Sequence, residues 1–280
     1  MARPALAATL HDPDGRMVSP AREAMAPLRH LYETAHITAT PQTDPALLAV
    51  LQEAGAAVTT DSDWRIGAGR RRAVLNAVAA GATAVHYCDF DRLLHWQRVA
   101  PDELVGIVGR LASARRFDYL ILGRTAAAFA THPRVQRETE TVTNHAFSAW
   151  FGRRGDVGAG SCGITAHAAS LIARYSIEPT NATDAEWPAI VHCLLPGRVR
   201  YRATTGLSFE TADFYAAEIT KAGGREEWLK VVYDRPDVWL TRLELSHNSV
   251  RAMLAVADRL SRLRGKAGPP QPIKLPLAKH

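Results

Sequence analysis

Cysteine is scarce: Cys88, Cys162 and Cys193 are the only three in 280 residues, and no two stand in a CxxC spacing. An odd count without that spacing gives neither a disulfide framework nor a cysteine-zinc site, so buried thiols are expected. Long apolar runs are missing as well. Stretches such as Ala77–Tyr87 are too short and too interrupted by glycine to cross a bilayer, and the Met-Ala-Arg-Pro start lacks the apolar core of a signal peptide. The expectation is a cytoplasmic protein without a transmembrane segment. No DNA-binding or RNA-binding motif is present either. The net charge of +6 favours phosphate-rich ligands but is thinly spread, with clusters at Arg70-Arg71-Arg72, Arg115-Arg116 and Arg153-Arg154, and no nucleic-acid partner is expected.

What is present is ordinary globular composition, 47% apolar and 22% charged, in a chain long enough for a sizeable core. The reading is one domain over residues 1–265 and an extended or disordered tail over 266–280, rich in proline and lysine and without periodicity. No internal repeat is evident.

The first half alternates short β-type runs with helical stretches, the pattern of a parallel sheet covered on both faces. Ala5–Leu10 and His36–Thr40 read as strands. Asp44 caps a helix from Pro45 to about Glu53, which Gly55 stops. Ala56–Thr60 is a third strand, and Ile66-Gly67-Ala68-Gly69 opens a helix that runs to Gly81. Ala84–Cys88 is a fourth strand and delivers Asp89 and Asp91 to its carboxyl end, the edge at which open parallel sheets hold ligands. A helix over Asp102–Arg115 and a strand over Tyr119–Leu122, closing on Gly123-Arg124, follow. The second half is less regular: a helix around Val142–Phe151, a glycine-rich loop Gly155–Gly163, helices through Ala166–Tyr175 and after Asp184, and a strand at Arg198–Arg202.

Two aspartates one residue apart after a buried strand can hold a hard cation such as Mg²⁺ or Mn²⁺, which leaves coordination positions open for phosphate oxygens and water. Two solvated carboxylates capping the turn toward Leu93 is the alternative. Just upstream, the Gly67-Ala68-Gly69 turn and Arg70-Arg71-Arg72 offer backbone N–H groups and guanidiniums to a phosphate, or else form a glycine turn and a solvated basic face. Both elements lie on one edge of one sheet.

The run from Ile66-Gly67-Ala68-Gly69-Arg70 through Asn76 and Ala80-Gly81 to Asp89-Phe90-Asp91 resembles the glycine loop, first long helix and Asp-x-Asp signature of GT-A glycosyltransferases, especially family 2 and dolichol-phosphate-mannose-synthase-like enzymes. Leu122-Gly123-Arg124 is similar to their strand ending in a Gly/Ser-Arg pair, and Asp156–Gly160 to their acceptor-side loop. Thr183-Asp184-Ala185-Glu186 stands where the family carries its acidic motif. The resemblance spans residues 5 to 215 as spacing and scattered motifs. It implies an α/β, Rossmann-like GT-A fold with a mostly parallel central sheet flanked by helices. It further implies a metal-dependent transfer of a sugar from a nucleotide-diphospho-sugar to a hydroxyl or phosphate acceptor.

By that resemblance Asp89 and Asp91 hold Mg²⁺ or Mn²⁺. Thr9, Thr40, Gly67, Arg70, Arg71, Asp89 and Arg124 contact the donor, and Asp184, or else Glu186, takes the acceptor proton. Asp184 as a helix cap with Glu186 in the first turn is the structural alternative. The sequence departs from the family in three places. The metal-binding histidine after the acidic motif is missing between Tyr201 and Tyr215, where Glu210 or Asp213 can substitute. Leu10-His11-Asp12-Pro13-Asp14 replaces the usual first-strand segment, and Thr40 stands at the usual aspartate after strand two. His247 is a weaker metal candidate; His167 and His192 are expected to pack or to face solvent. Trp150, Trp187 and Tyr201 offer faces for stacking on a sugar or base, or for core packing. Rival readings are a noncatalytic nucleotide-sugar-binding or scaffold protein of the same fold, and a sugar-phosphate nucleotidyltransferase, which His11–Gly15 with its single glycine and no lysine does not favour.

Overall fold

The structure, a computed structural model, describes residues 3–113 and 116–264; Arg115 and the expected tail lie outside the described residues. In chain order the elements are β1 (Ala5–Leu10), α1 (Val18–Leu31), β2 (Ala35–Ala39), α2 (Pro45–Glu53), β3 (Ala57–Thr60), α3 (Ile66–Ala79), β4 (Ala84–Cys88), α4 (Phe90–Val99), α5 (Pro101–Ala112) and β5 (Tyr119–Arg124). There follow α6 (Ala126–Ala130), α7 (Arg134–Phe151), β6 (Ser161–Thr165), α8 (Ala166–Tyr175), α9 (Thr183–Leu194), β7 (Val199–Thr204), a 3₁₀ turn (Thr211–Phe214), α10 (Ala216–Lys221), α11 (Arg225–Tyr233) and α12 (Pro236–Arg264).

The strands form one sheet in the order β3-β2-β1-β4-β6-β5-β7, parallel except for β6, which runs antiparallel to both β4 and β5. Period-two alternation divides the core between the two faces. Leu6, Ala8 and Leu10 pack with α1, α2, α4 and α5, whereas Ala5 and Ala7 pack with α3, α8, α9 and α12. The expected mostly parallel sheet flanked by helices is what the chain forms.

Local chemistry accounts for the boundaries that the sequence placed. Asp44 accepts from the Ala46 N–H at the start of α2, with Pro45 at the first helical position, and Gly55 and Gly81 take left-handed backbone after α2 and α3. Among the elements that differ from expectation, three bear on the site. Residues 161–165 are a strand rather than the end of a glycine-rich loop; Gly163 is required there because a Cβ would stand 2.2 Å from Leu111 Cδ2. Helix α7 begins eight residues before Val142, at Arg134, since its inward face carries Gln136, Thr139, Glu140 and Thr143, which leave no apolar periodicity to read. Helix α12 starts at Pro236, so His247 sits in its middle and faces outward rather than standing near its start as a ligand.

Candidate active site

The carboxyl ends of β1 and β4, the start of α3 and Asn181 enclose a pocket of about 360 Å³ bordered by Thr9, His11, Trp64, Arg70, Asp89 and Asp91. Behind it a smaller, more enclosed cavity of about 70 Å³ lies between this edge and α7 and α12, bordered by Arg70, Asp89, Arg92, Glu140, Asn144, Asp184 and Arg242. Ligands in open α/β sheets occupy this edge.

Asp89 caps the end of β4 and is already committed. The hydroxyls of Tyr87 and Thr9 donate to its Oδ1, the latter at 3.0 Å, and Arg70 donates to its Oδ2 at 2.8 Å. Gly160, with φ +61°, brings its backbone so close that a Cβ would lie 2.4 Å from Asp89 Oδ2. Arg70 is 2% exposed and spans two carboxylates, donating also to Asp184 Oδ1 at 2.7 Å and to the Thr183 hydroxyl at 3.1 Å. Burial works to lower its pKa, but the charges of Asp184 and Asp89 outweigh it and keep the guanidinium protonated far above the usual range.

Asp91, in the first turn of α4, is in a different state. Desolvation, then the charges of Glu210 and Asp89, push its carboxyl up to about 7 against the pull of Arg92. Glu210 is buried on the segment after β7 and stands 3.7 Å from Arg92. Its Oε2, like Arg92 Nη1, finds no hydrogen-bond partner among the described residues. Asp184, in the first turn of α9, is pushed up to about 6 by burial, with Arg70 opposing and Asp89 reinforcing.

These groups belong to one ionic network. Four arginines (70, 92, 124 and 242) interact with six carboxylates (Asp89, Asp91, Glu140, Asp156, Asp184 and Glu210), a formal excess of two negative charges when all six are ionised, which the raised Asp91 carboxyl reduces near neutral pH. A hard divalent cation would offset that excess, and Asp91, raised by burial and then by its acidic neighbours, and Glu210, with an unpartnered Oε2, carry the oxygens that would meet it. Among the described residues no group of three or more His, Cys, Asp or Glu side chains stands ready as a metal site. A site in which the protein supplies only one or two carboxylates is the kind that Mg²⁺ or Mn²⁺ occupies with water and phosphate oxygens.

Several expected donor contacts are occupied elsewhere. The Gly67 N–H donates to the Pro179 carbonyl at 3.0 Å, and a Cβ there would lie 2.3 Å from the Glu178 oxygen, so this glycine serves close packing of α3 on the segment before α9. Arg71 donates to the Ser176 hydroxyl and the Glu178 carbonyl on the same segment. The Glu186 carboxylate accepts from Ser176 and from the Ile177 and Glu178 N–H groups, which pins that loop from below and leaves no oxygen for an acceptor. Arg124, 1% exposed, is held by Asp156 through Nε and Nη2 and by Glu140 at 2.5 Å, so it organises the interior beside the site. Thr40 lies beneath the pocket and hydrogen-bonds His11 Nδ1 at 2.8 Å, acting on the pocket through that ring. Asp213 is taken by His95 and Arg98, which leaves Glu210 as the carboxylate after β7 that faces Asp91. His192 packs between Trp150 and Phe151, and His167 lies near Asp118 at the surface. Trp187 is buried edge-on against Tyr87, Trp150 packs against Phe147, and Tyr201 stacks beneath Gly123.

Trp64, Arg92, Asn144 and Arg242 were not singled out by sequence. Trp64 closes over Gly69, whose missing side chain admits it: a Cβ there would lie 2.7 Å from the indole. A lone tryptophan just before a glycine turn is the one signal that pointed to it.

No protein-family model matches this sequence, and no curated protein matches it. Solved structures do. A Mycobacterium tuberculosis glucosyl-3-phosphoglycerate synthase superposes with a TM-score of 0.59 at 15% identity, covering 91% of this chain and 81% of that one. The same enzyme with uridine diphosphate gives 0.59 at 14%, covering 91% and 80%. Its complex with Mn²⁺, UDP-glucose and phosphoglyceric acid gives 0.57 at 13%, again over 91% and 80%. At that identity the likeness establishes the fold, which is of the GT-A type.

Proposed function

We propose that this chain is a metal-dependent glycosyltransferase that uses a nucleotide-diphospho-sugar. The observation that carries the reading is the placement of Asp91 on the pocket at the ligand edge of the sheet, beside a buried Glu210 whose Oε2 has no hydrogen-bond partner among the described residues. The mycobacterial structures, with UDP-glucose and Mn²⁺ on the same fold, supply the ligand class that such an edge accommodates.

The nucleoside lies in the pocket lined by Thr9, His11 and Trp64, with the indole face against the base or ribose. Asp91 and Glu210 hold the Mg²⁺ or Mn²⁺, and Asp89, fixed by Arg70, Thr9 and Tyr87, orients the turn that carries Asp91. When bound, the ion supplies positive charge to the departing diphosphate. Asp184 takes the proton of the acceptor hydroxyl; Arg70 occupies its Oδ1, so Oδ2 is the oxygen assigned to the proton. The acceptor oxygen bonds to the anomeric carbon, the bond from that carbon to the phosphate oxygen breaks, and the nucleoside diphosphate leaves with the electron pair. The Asp-x-Asp motif therefore works through one ligand, Asp91, and one hydrogen-bonded scaffold residue, Asp89. Thr40 at the position of the usual aspartate gives His11 the task of reading the base edge.

Thermal-shift binding against UDP-, GDP- and ADP-sugars, each with and without Mn²⁺ or Mg²⁺, tests this reading. A metal-dependent rise with one nucleotide class is the expected result. A folded protein that shifts with none of them refutes it and leaves a noncatalytic member of the fold.

A further inference from the structure

Beside the carboxyl end of β5 a second hollow opens, a groove of about 1110 Å³ between α7 and residues 152–156. Its charge is one-sided. The carboxylates on its wall are already committed, Asp156 to Arg124 and Glu138 to Arg134. Arg137 of α7 and Arg153 and Arg154 of the 152–156 segment line the groove without a carboxylate partner among the described residues. Arg137 Nε is buried without a hydrogen-bond partner, Arg153 lies over the Phe151 ring, and Arg154 hydrogen-bonds the Tyr201 hydroxyl. Three guanidiniums on one concavity, with no carboxylate claiming them, offer several donors to a single polyanion.

The groove adjoins the catalytic edge. Asn144 borders both this hollow and the small cavity that contains Asp184. That amide is rigidly placed, donating to Asp156 Oδ1 at 2.9 Å and accepting from the Val157 N–H at 3.0 Å. A ligand anchored at the arginines thus extends past Asn144 toward the proposed base.

We propose that this groove is the acceptor site, and that the acceptor is a small molecule bearing two or more phosphate or carboxylate groups, gripped by Arg137, Arg153 and Arg154. The concave shape and the volume suit a small ligand rather than a polymer. This assignment rests on the glycosyltransferase reading for the word acceptor, but the anion site stands on its own geometry.

The test is calorimetric titration of the metal-free, donor-free protein at low salt with fructose 1,6-bisphosphate, citrate and uncharged fructose. Wild type is compared with Arg153→Ala/Arg154→Ala and with a charge-matched control at two exposed positions of α1, Arg22→Ala/Arg29→Ala. The expected result is binding of at least one polyanion and none of fructose, weakened by at least about tenfold in the groove variant and under about twofold in the control. The tighter of the two probes tells phosphate from carboxylate. Absence of binding to either polyanion, or equal weakening in both variants, overturns the proposal. Donor binding with Mn²⁺, measured on the same proteins, separates the two readings: it persists if only the groove assignment fails, and disappears with the groove intact if the donor assignment fails.

Discussion

Replacing Arg70 by methionine keeps most of the side-chain volume and removes the charge that joins Asp89 to Asp184. With bonds of 2.8 and 2.7 Å to the two carboxylates and 2% exposure, the guanidinium is the buried partner of both. Removing one partner of a buried pair costs about 3–5 kcal/mol, because the remaining charge keeps its desolvation penalty. The cost depends on pH in a calculable direction. Asp184 is already raised to about 6 with the arginine present, and loses its main counter-charge in the variant, so its folded-state value climbs further. A carboxyl raised in the folded state takes up its proton on folding and gains relative stability as pH falls. Between the variant's value and about 6 only the variant gains that proton, so its deficit against wild type narrows by about 1.4 kcal/mol per pH unit across that window. Urea unfolding of both proteins at pH 8, 7 and 6 measures this. Adding Asp184→Asn should make the double variant less destabilised than the sum of the two singles, with a coupling of about 1–3 kcal/mol. A deficit below about 1 kcal/mol that stays flat with pH would refute the idea that Arg70 neutralises these carboxylates.

Asp91→Asn and Glu210→Gln should each weaken Mn²⁺-dependent nucleotide-sugar binding by at least about tenfold while the protein stays folded, read by calorimetry and far-UV circular dichroism; unchanged binding in both removes them as ligands. Trp64→Ala should lower nucleotide affinity and spare Mn²⁺ binding alone, so parallel losses of the two would count against a stacking role. Gly206→Ala should destabilise by about 1–3 kcal/mol in a denaturant titration, since a Cβ there would stand 1.9 Å from Trp96 Cδ1. His86 is held neutral by burial, its pKa down to about 3, and Ser161, which donates to the Tyr87 carbonyl, must accept from its Nε2–H. A histidine lowered in the fold is protonated first in the unfolded chain, so its contribution is present above pH 6.5 and is lost as pH falls toward 3. The stability difference between wild type and His86→Gln should therefore shift by about 3 kcal/mol in favour of the variant between pH 6.5 and 4, and a constant difference would show that the ring is protonated in the fold.

The donor half was legible because its signals are local. Asp44-Pro45 and the glycines at 55 and 81 punctuate helices whose apolar faces repeat regularly, and β4 ends where its apolar run ends, at Cys88. The half that follows β5 was harder to read because its elements turn polar faces inward. Helix α7 presents Thr139, Glu140 and Thr143 to a charged interior, and α12 presents Arg242, Ser246 and Ser249, so hydrophobic periodicity fails over those parts of both helices and returns at Phe147 and Phe151 and at Met253, Val256 and Leu260. Site chemistry divided along a similar line. The sequence put Asp89, Asp91 and Arg70 on one edge and named Asp184 by resemblance alone; in the structure Arg70 joins Asp184 to Asp89 at that edge. The sequence had no means to show that Gly67, Arg71 and Glu186 are consumed in one local clasp, because their partners at 176–179 are mostly backbone groups.

Strand β6 also imposes an order of assembly. β5 and β7 reach the first four strands only through it, and its partners in β4 and β5 lie dozens of residues earlier in the chain. During synthesis β1 to β4 can pair as they emerge, whereas β5 has no neighbour until residue 165 is made. The sheet is completed by these long-range pairings, which are slow to form. A nascent chain stopped between β5 and β6 therefore carries an unpaired, apolar Tyr119–Leu122 edge, the segment on which association with other chains would begin.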